Sequence, residues 1–338
     1  MAKSPTGAPT LLGSNELREV SEKSAPKLRT ANEVIVAVGL AFSTSFLIMR
    51  IYTRARIMKK FGCDDILLIM AWIFSLGTQA IILNAYAHAG LGVHIDELPV
   101  STIQTYEKCV LATSTIYIFA LAFAKLALLV LYYQLLHILP VWRYTIFAVF
   151  FIIAGYSIAL ALALIFACHP IQKAWDISVT TGSCINRQGA YLATACTNTA
   201  SDIALIIIPI PAVWNLKMPL GQKLAVIGMF TIGCLTIITS IVRLATLWPL
   251  VTSKDPTYEL GLAGIFINIE ANFIIMCPCL PFIRRFFRYH APRWIRDSDR
   301  SPQGQSDTSA ASQNKTSTPA HVQRQDDIEM SVNMGDEL

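Results

Sequence analysis

Apolar residues in this chain fall into long unbroken runs separated by short polar segments. They do not alternate, and they do not recur at the spacing of a half-buried helix. Seven runs, 34–51, 66–84, 110–136, 144–167, 189–214, 224–247 and 263–283, each reach about 18 residues or more. An α-helix needs roughly that length to cross a hydrocarbon core of about 30 Å. Barrel strands are about ten residues long and alternate, so the pattern predicts helices rather than a barrel. The expected fold class is all-α, a seven-transmembrane-helix bundle.

The polar segments divide the chain further. Residues 1–32 read as a flexible extracellular tail, 33–289 as the membrane domain, and 290–338 as a juxtamembrane basic segment followed by a disordered cytoplasmic tail. The first thirty residues show no apolar h-region, so the first run is expected to serve as its own insertion signal. Composition agrees with a membrane protein: 54% of residues are hydrophobic and 14% charged, against about a quarter charged in soluble domains.

The net charge of +5 matters by location. Arg54, Arg56, Lys59 and Lys60 follow the first run, Arg143 the third, and Lys217 and Lys223 the fifth. Arg284, Arg285, Arg288, Arg293, Arg296 and Arg300 follow the seventh. The opposite loops are poorer in Lys and Arg and carry Asp96, Glu97, Asp176, Asp255 and Glu259. The positive-inside rule then puts the N-terminus outside and the C-terminus in the cytoplasm, in the plasma membrane or an endomembrane. The bilayer is the first partner, and the basic segment from Arg284 to Arg300 is placed to meet anionic inner-leaflet lipids.

Cysteines sort the same way. Cys196, Cys234, Cys277 and Cys279 lie within runs and read as small apolar residues. Cys109, Cys168 and Cys184 fall on the outer side, where disulfides persist. Cys168–Cys184 is the favoured pairing, with Cys109–Cys184 the runner-up.

Chemistry concentrates where charge is sunk in lipid, because such a group costs several kcal/mol unless it pairs or lines a wet cavity. Lys125, Asp202, Arg243 and Glu270 lie inside the third, fifth, sixth and seventh runs. At 1.5 Å of rise per residue their depths match in two pairs, Lys125–Asp202 and Arg243–Glu270. They read either as the lining of a polar, outward-opening cavity or as ion pairs that fix helix packing. Asp202 and Glu270 are the catalytic candidates if the protein is an enzyme. A second cluster, Arg50, Tyr52, Arg54, Asp64 and Asp65, marks the cytoplasmic edge, where carboxylates at the helix start favour its unpaired N–H groups and dipole; it reads as capping plus a short-loop salt bridge. Gly90 and Gly92 permit a tight turn. His88 and His94 fit no metal-ligand spacing, so no metal is expected. No nucleotide or nucleic-acid motif is present.

The order of these residues resembles the fungal rhodopsin-domain family of seven-helix membrane proteins. The resemblance runs through Arg50-x-Tyr52-x-Arg54, Gly62-x-Asp64-Asp65, Gly90-x-Gly92-x-His94, Lys125, Cys168-x-Pro170, Trp175 and Cys184. It continues through Asn198 and Asp202, Arg243, Asp255-x-Thr257-Tyr258, Glu270 and Cys279-Leu280-Pro281, covering nearly all of the membrane domain. Two positions depart from it: Ile66 stands where a Trp usually follows the double Asp, and Leu126 where a Ser-type residue usually follows the Lys. The resemblance adds Asn198 to the polar centre. It implies a multi-pass fungal membrane protein of a group that includes receptor-like surface sensors and the membrane protein of the satratoxin cluster.

Retinal is not implied. A retinal Schiff base needs a lysine in the seventh helix, and the run 263–283 has none. The third run ends Tyr132-Tyr133-Gln134 and the seventh Cys277-Pro278-Cys279, neither being a G-protein-coupling signature of animal receptors. The expected function is service to a secondary-metabolite pathway or receptor-like sensing of a small lipophilic ligand. The alternative is a membrane-embedded enzyme, an acid-assisted cyclase or isomerase acting on a lipophilic intermediate.

Overall fold

A computed structural model describes residues 14–93, 100–136, 140–176, 178–179, 181–210, 220–248 and 256–290. The helices are α1 (Ser14–Tyr52), α2 (Cys63–His88), α3 (Val100–Leu136), α4 (Pro140–Ile165), α5 (Arg187–Ile207), α6 (Leu220–Leu247), α7 (Pro256–Met276) and α8 (Leu280–His290). Local chemistry sets several ends. A π-helical segment, Thr53–Met58, closes α1 and stops at Lys59, which adopts the left-handed conformation with φ 53°. The amide of Gly62 donates to Asp65 at 3.1 Å at the start of α2, and Asn186 accepts from the Gly189 amide at 3.1 Å at the start of α5. Pro278 sits in the 3-10 turn Cys277–Cys279, which separates α7 from α8.

The first seven helices form a closed ring in chain order, each packed on the next and α7 returning to α1. α2 and α3 also touch α7, and α3 has the most buried span among the described helices. The burial pattern is that of a protein solvated by lipid. Large apolar side chains such as Phe42, Phe151, Ile158, Phe230 and Ile238 face outward, while charged and amide side chains are buried. Six of the described helices are long and apolar enough to cross a membrane. α5, predicted as a span from the run 189–214, occupies its place in the ring between α4 and α6. Its buried face carries Asn198, Thr199, Ser201 and Asp202, which dilute its hydropathy, and it ends before Pro209.

The first boundary differs from the sequence reading. α1 begins at Ser14, inside the segment 1–32 read as a flexible tail, and Asn32 is fully buried against Asn268. Helix propensity and packing on α7 extend the helix past the apolar run. Residues 1–13 and 291–338 lie outside the described residues, and with them Arg293, Arg296 and Arg300.

Candidate functional site

Four helices deliver the buried charges to one place. Lys125 on α3 stands 2.9 Å from Asp202 Oδ1 on α5, and Arg243 Nε on α6 donates to Glu270 Oε2 on α7 at 2.9 Å. Both pairings expected from depth are therefore formed. The two pairs are also joined to each other. Ser240 Oγ lies 2.8 Å from both Asp202 Oδ2 and Glu270 Oε1. Asn198 Nδ2 reaches Asp202 Oδ2 at 3.1 Å, Ser240 Oγ at 3.3 Å and Glu270 Oε1. Lys125 Nζ donates further to Asn198 Oδ1 at 2.7 Å and Ser201 Oγ at 2.6 Å. Tyr117 on α3 donates to Glu270 Oε2 at 2.7 Å, and the Arg243 guanidinium lies 5.4 Å from its ring. On the far side, Tyr156 of α4 donates to Ser201 Oγ at 2.9 Å.

Each carboxylate oxygen of Asp202 and Glu270 thus has a donor, which is how a buried charge is tolerated in a low-dielectric interior. Lys125 and Glu270 are 0% exposed. Of the two readings, cavity lining or ion pairs that fix packing, the ion pairs are formed, and the members of the network touch one another. One donor stays open: Arg243 Nη2 is buried with no acceptor among the described residues.

The second cluster is larger than a helix cap. Arg50, 0% exposed, donates from Nε to Asp65 Oδ1 at 2.9 Å, and from its two terminal nitrogens to Asp64 Oδ2 and to the carbonyl of Pro278. Arg54 Nη2 also meets Asp64 Oδ2 and donates to Gln134 Oε1 at 3.0 Å, while Gln134 Nε2 donates back to Asp64 Oδ1 at 3.0 Å. Both guanidiniums stack on Phe282, 4.5 Å and 4.8 Å from the ring centre. The junction therefore ties the ends of α1 and α3 and the start of α2 to the α7–α8 turn and α8. Tyr52 departs from the grouping: it is exposed, packs edge-on to Phe286 and contacts His290 Nε2 at 3.4 Å.

A third polar seam was invisible in the sequence. Asn272 on α7 donates to Gln79 Oε1 on α2 at 3.2 Å and accepts from Ser43 of α1 at 2.7 Å. Gly39 lets α1 approach, since a Cβ there would stand 2.5 Å from Asn272 Nδ2.

At the other end of the ring, Cys168 pairs with Cys184 across a short antiparallel ladder, β1 (Cys168–His169) and β2 (Ser183–Cys184). Cys109 is a free thiol near Asn84. Arg187 donates to Glu107 at 2.8 Å and to the Ala174 carbonyl at 2.7 Å, which seats this loop on α3. The Ser178 hydroxyl and amide donate to Asp176 and hold its carboxyl below the ordinary range. Gly92, at φ 85°, donates its amide to the Thr257 carbonyl at 3.2 Å, closing the α2 end onto α7. Among the described residues no group of three or more His, Cys, Asp and Glu is placed to hold a metal ion.

A ring of seven helices, apolar outside and ionic at its centre, defines an integral, multi-pass helical membrane protein. The fungal rhodopsin domain matches residues 49–289, and the chain belongs to that family. It is 25% identical over 261 residues to the polyenoic acids biosynthesis gene cluster protein Ba17b of Metarhizium anisopliae, covering 73% of this chain and 71% of that protein. It is 31% identical over 212 residues to a SAT4 family membrane protein of Emericella nidulans, 59% of this chain and 51% of that one. It is 25% identical over 190 residues to Receptor GIN3 of Arthrobotrys oligospora, 55% of this chain and 45% of that receptor. No solved structure matches the chain.

Proposed function

We propose that this protein serves a secondary-metabolite pathway as a membrane sensor, holding a small lipophilic ligand and responding by rearranging its central network. The observation that carries the reading is that Ser240 and Asn198 couple two ion pairs on four different helices. A change at any one member must be absorbed by all four helices, which is what a two-state element requires. The spare Arg243 Nη2 is a donor that such a change can supply with an acceptor. Relatives in a biosynthetic cluster and a relative named as a receptor agree with this reading.

Acid catalysis is the alternative, with Asp202 or Glu270 as proton donor. The geometry favours it less. Both carboxylates accept hydrogen bonds at both oxygens, the role of the ionised form, whereas a general acid must itself carry the proton.

For orientation, the disulfide end is assigned to the outside and the α8 end to the cytoplasm, with Arg56, Lys59, Lys60, Arg143, Arg285 and Arg288 exposed near the latter. Arg285 and Arg288 would there face anionic headgroups. Purified protein should retain a low-mass lipophile that organic extraction releases and that the Glu270→Gln variant lacks. A compound applied to the membrane and recovered unchanged supports sensing. Its recovery in altered form by wild type, and not by Asp202→Asn or Glu270→Gln, would establish the enzyme instead.

A further inference from the structure

Apolar clusters flank the central network along the bundle axis. Toward the disulfide end it is covered by Ala195, Leu247 and Ala263, with Tyr191, Leu244 and Leu260 packed on them. Toward the α8 end lie Leu128, Leu129, Tyr132, Cys277 and Phe282. Tyr117, Lys125, Asn198, Ser201, Asp202, Ser240, Arg243 and Glu270 are all buried. Tyr156 is the partly exposed member, and its hydroxyl bonds Ser201, which in turn accepts from Lys125. Tyr156 belongs to α4, whose flanking residues Ile152 and Phe151 are exposed to lipid. Among the described residues, α4 packs on α5 more sparsely than any other pair of consecutive ring helices.

We propose that a neutral lipophile bearing one hydroxyl reaches this network sideways from the bilayer, between α4 and α5, and takes the place of the Tyr156 hydroxyl as donor to Ser201, whose own hydrogen goes to the Asn198 carbonyl. The inference rests on the sensing reading and supplies its route and ligand class. Charge counting selects the neutral group. Lys125 and Arg243 already balance Asp202 and Glu270, so an added carboxylate would bring an uncompensated charge into a low-dielectric interior. A hydroxyl donor exchanges one hydrogen bond to Ser201 for another. The hydrocarbon tail keeps its solvation throughout, because the seam opens onto lipid.

The test uses the full chain in nanodiscs and two probes, a long-chain alcohol with a terminal diazirine and the matching carboxylic acid. After irradiation, labelled peptides are mapped by mass spectrometry. The alcohol is expected to label α4 and α5 around Tyr156 and Ser201, saturably and in competition with unlabelled alcohol. Thr197 and Ala204 lie on the flank of α5 that carries Ser201, four residues before it and three after. Thr197→Leu and Ala204→Leu, by filling the seam the probe would enter, should each reduce that labelling at least about fivefold, equivalent to roughly 1 kcal/mol of binding, with unchanged unfolding temperature. Tyr156→Phe, which removes the competing hydroxyl, should raise it. Unsaturable label spread evenly over α1, α4 and α6 overturns the site. Saturable label near Tyr86 and Gly92 overturns the lateral route while leaving the sensing reading intact. Equal labelling by the acid overturns the choice of a neutral ligand.

Discussion

Asp202 and Glu270 are joined through one hydroxyl, with Ser240 Oγ 2.8 Å from Asp202 Oδ2 and 2.8 Å from Glu270 Oε1. A serine has a single hydrogen to donate, so at any moment it serves one carboxylate, and the Asn198 amide must serve the other. Ser240→Ala leaves Asn198 alone between two buried anions. The expected cost is about 1–3 kcal/mol, the penalty of an unsatisfied buried acceptor. That corresponds to a fall of several degrees in unfolding temperature in detergent micelles. An unchanged midpoint would show that Asn198 suffices without the hydroxyl.

Lys125 and Asp202 make a sharper case, because removing one leaves the other charged and buried. Lys125→Met or Asp202→Asn alone is expected to destabilise by about 3–5 kcal/mol, whereas the double variant should recover most of that loss. A double-mutant cycle on unfolding midpoints measures the coupling. Additive losses in the double variant would mean that Ser201 and Asn198, rather than Asp202, stabilise the lysine.

The partners in these two predictions were not equally legible in the sequence. Lys125–Asp202 and Arg243–Glu270 could be paired because helical rise converts residue number into depth, and a charge in an apolar run announces itself. Ser240 could not, since serine and threonine hydroxyls in a transmembrane helix commonly bond their own backbone, as Thr194 and Thr199 do here. Tyr117 and Tyr156 could not either, since a tyrosine in an apolar run reads as an aromatic packing residue. Asn198 entered through family resemblance alone. Gln134, Pro278 and Phe282 joined the Arg50 cluster from three separate elements, and contact across a ring depends on helix rotation, which an unbroken apolar run leaves undefined. The same ambiguity hid the seam of Ser43, Gln79 and Asn272. Tyr52 shows the converse error: nearness to Arg50 and Arg54 suggested a shared cluster, but Tyr52 is two residues from each, about 200° around a helix, and its ring packs on Phe286.

Arg50 tests how far the fork geometry of a guanidinium matters. Its nitrogens reach Asp64, Asp65 and the Pro278 carbonyl at once, and its plane stacks on Phe282. Lysine keeps the charge but offers neither the planar fork nor the stacking surface. Arg50→Lys is therefore expected to free α8 from the ring, raising amide exchange across Leu280–His290 by at least about tenfold, the equivalent of roughly 1.4 kcal/mol. The exchange of α4, which has no residue in this junction, should stay as in wild type. A uniform rise in every helix would instead mean that the junction supports the whole fold.

The disulfide offers a prediction in which three cysteines answer separately. Cys168 and Cys184 are bonded across a sequence separation of 16, while Cys109 is free and only part-buried. Alkylation of the native protein without reductant should therefore tag Cys109 and leave Cys168 and Cys184 unmodified until reduction. In the chain-entropy account, closing a loop of about 15 residues contributes about 3 kcal/mol. Cys168→Ser with Cys184→Ser should then lower the unfolding midpoint, and Cys109→Ser should leave it nearly unchanged. The local consequence is as specific as the global one. Arg187 bridges Glu107 on α3 and the Ala174 carbonyl in this loop, so the double serine variant should loosen residues 171–186 first. Hydrogen exchange would show faster exchange there while Lys125 and Asp202 peptides keep their protection. Tagging of Cys184 in place of Cys109 in unreduced protein would return the assignment to the Cys109 pairing.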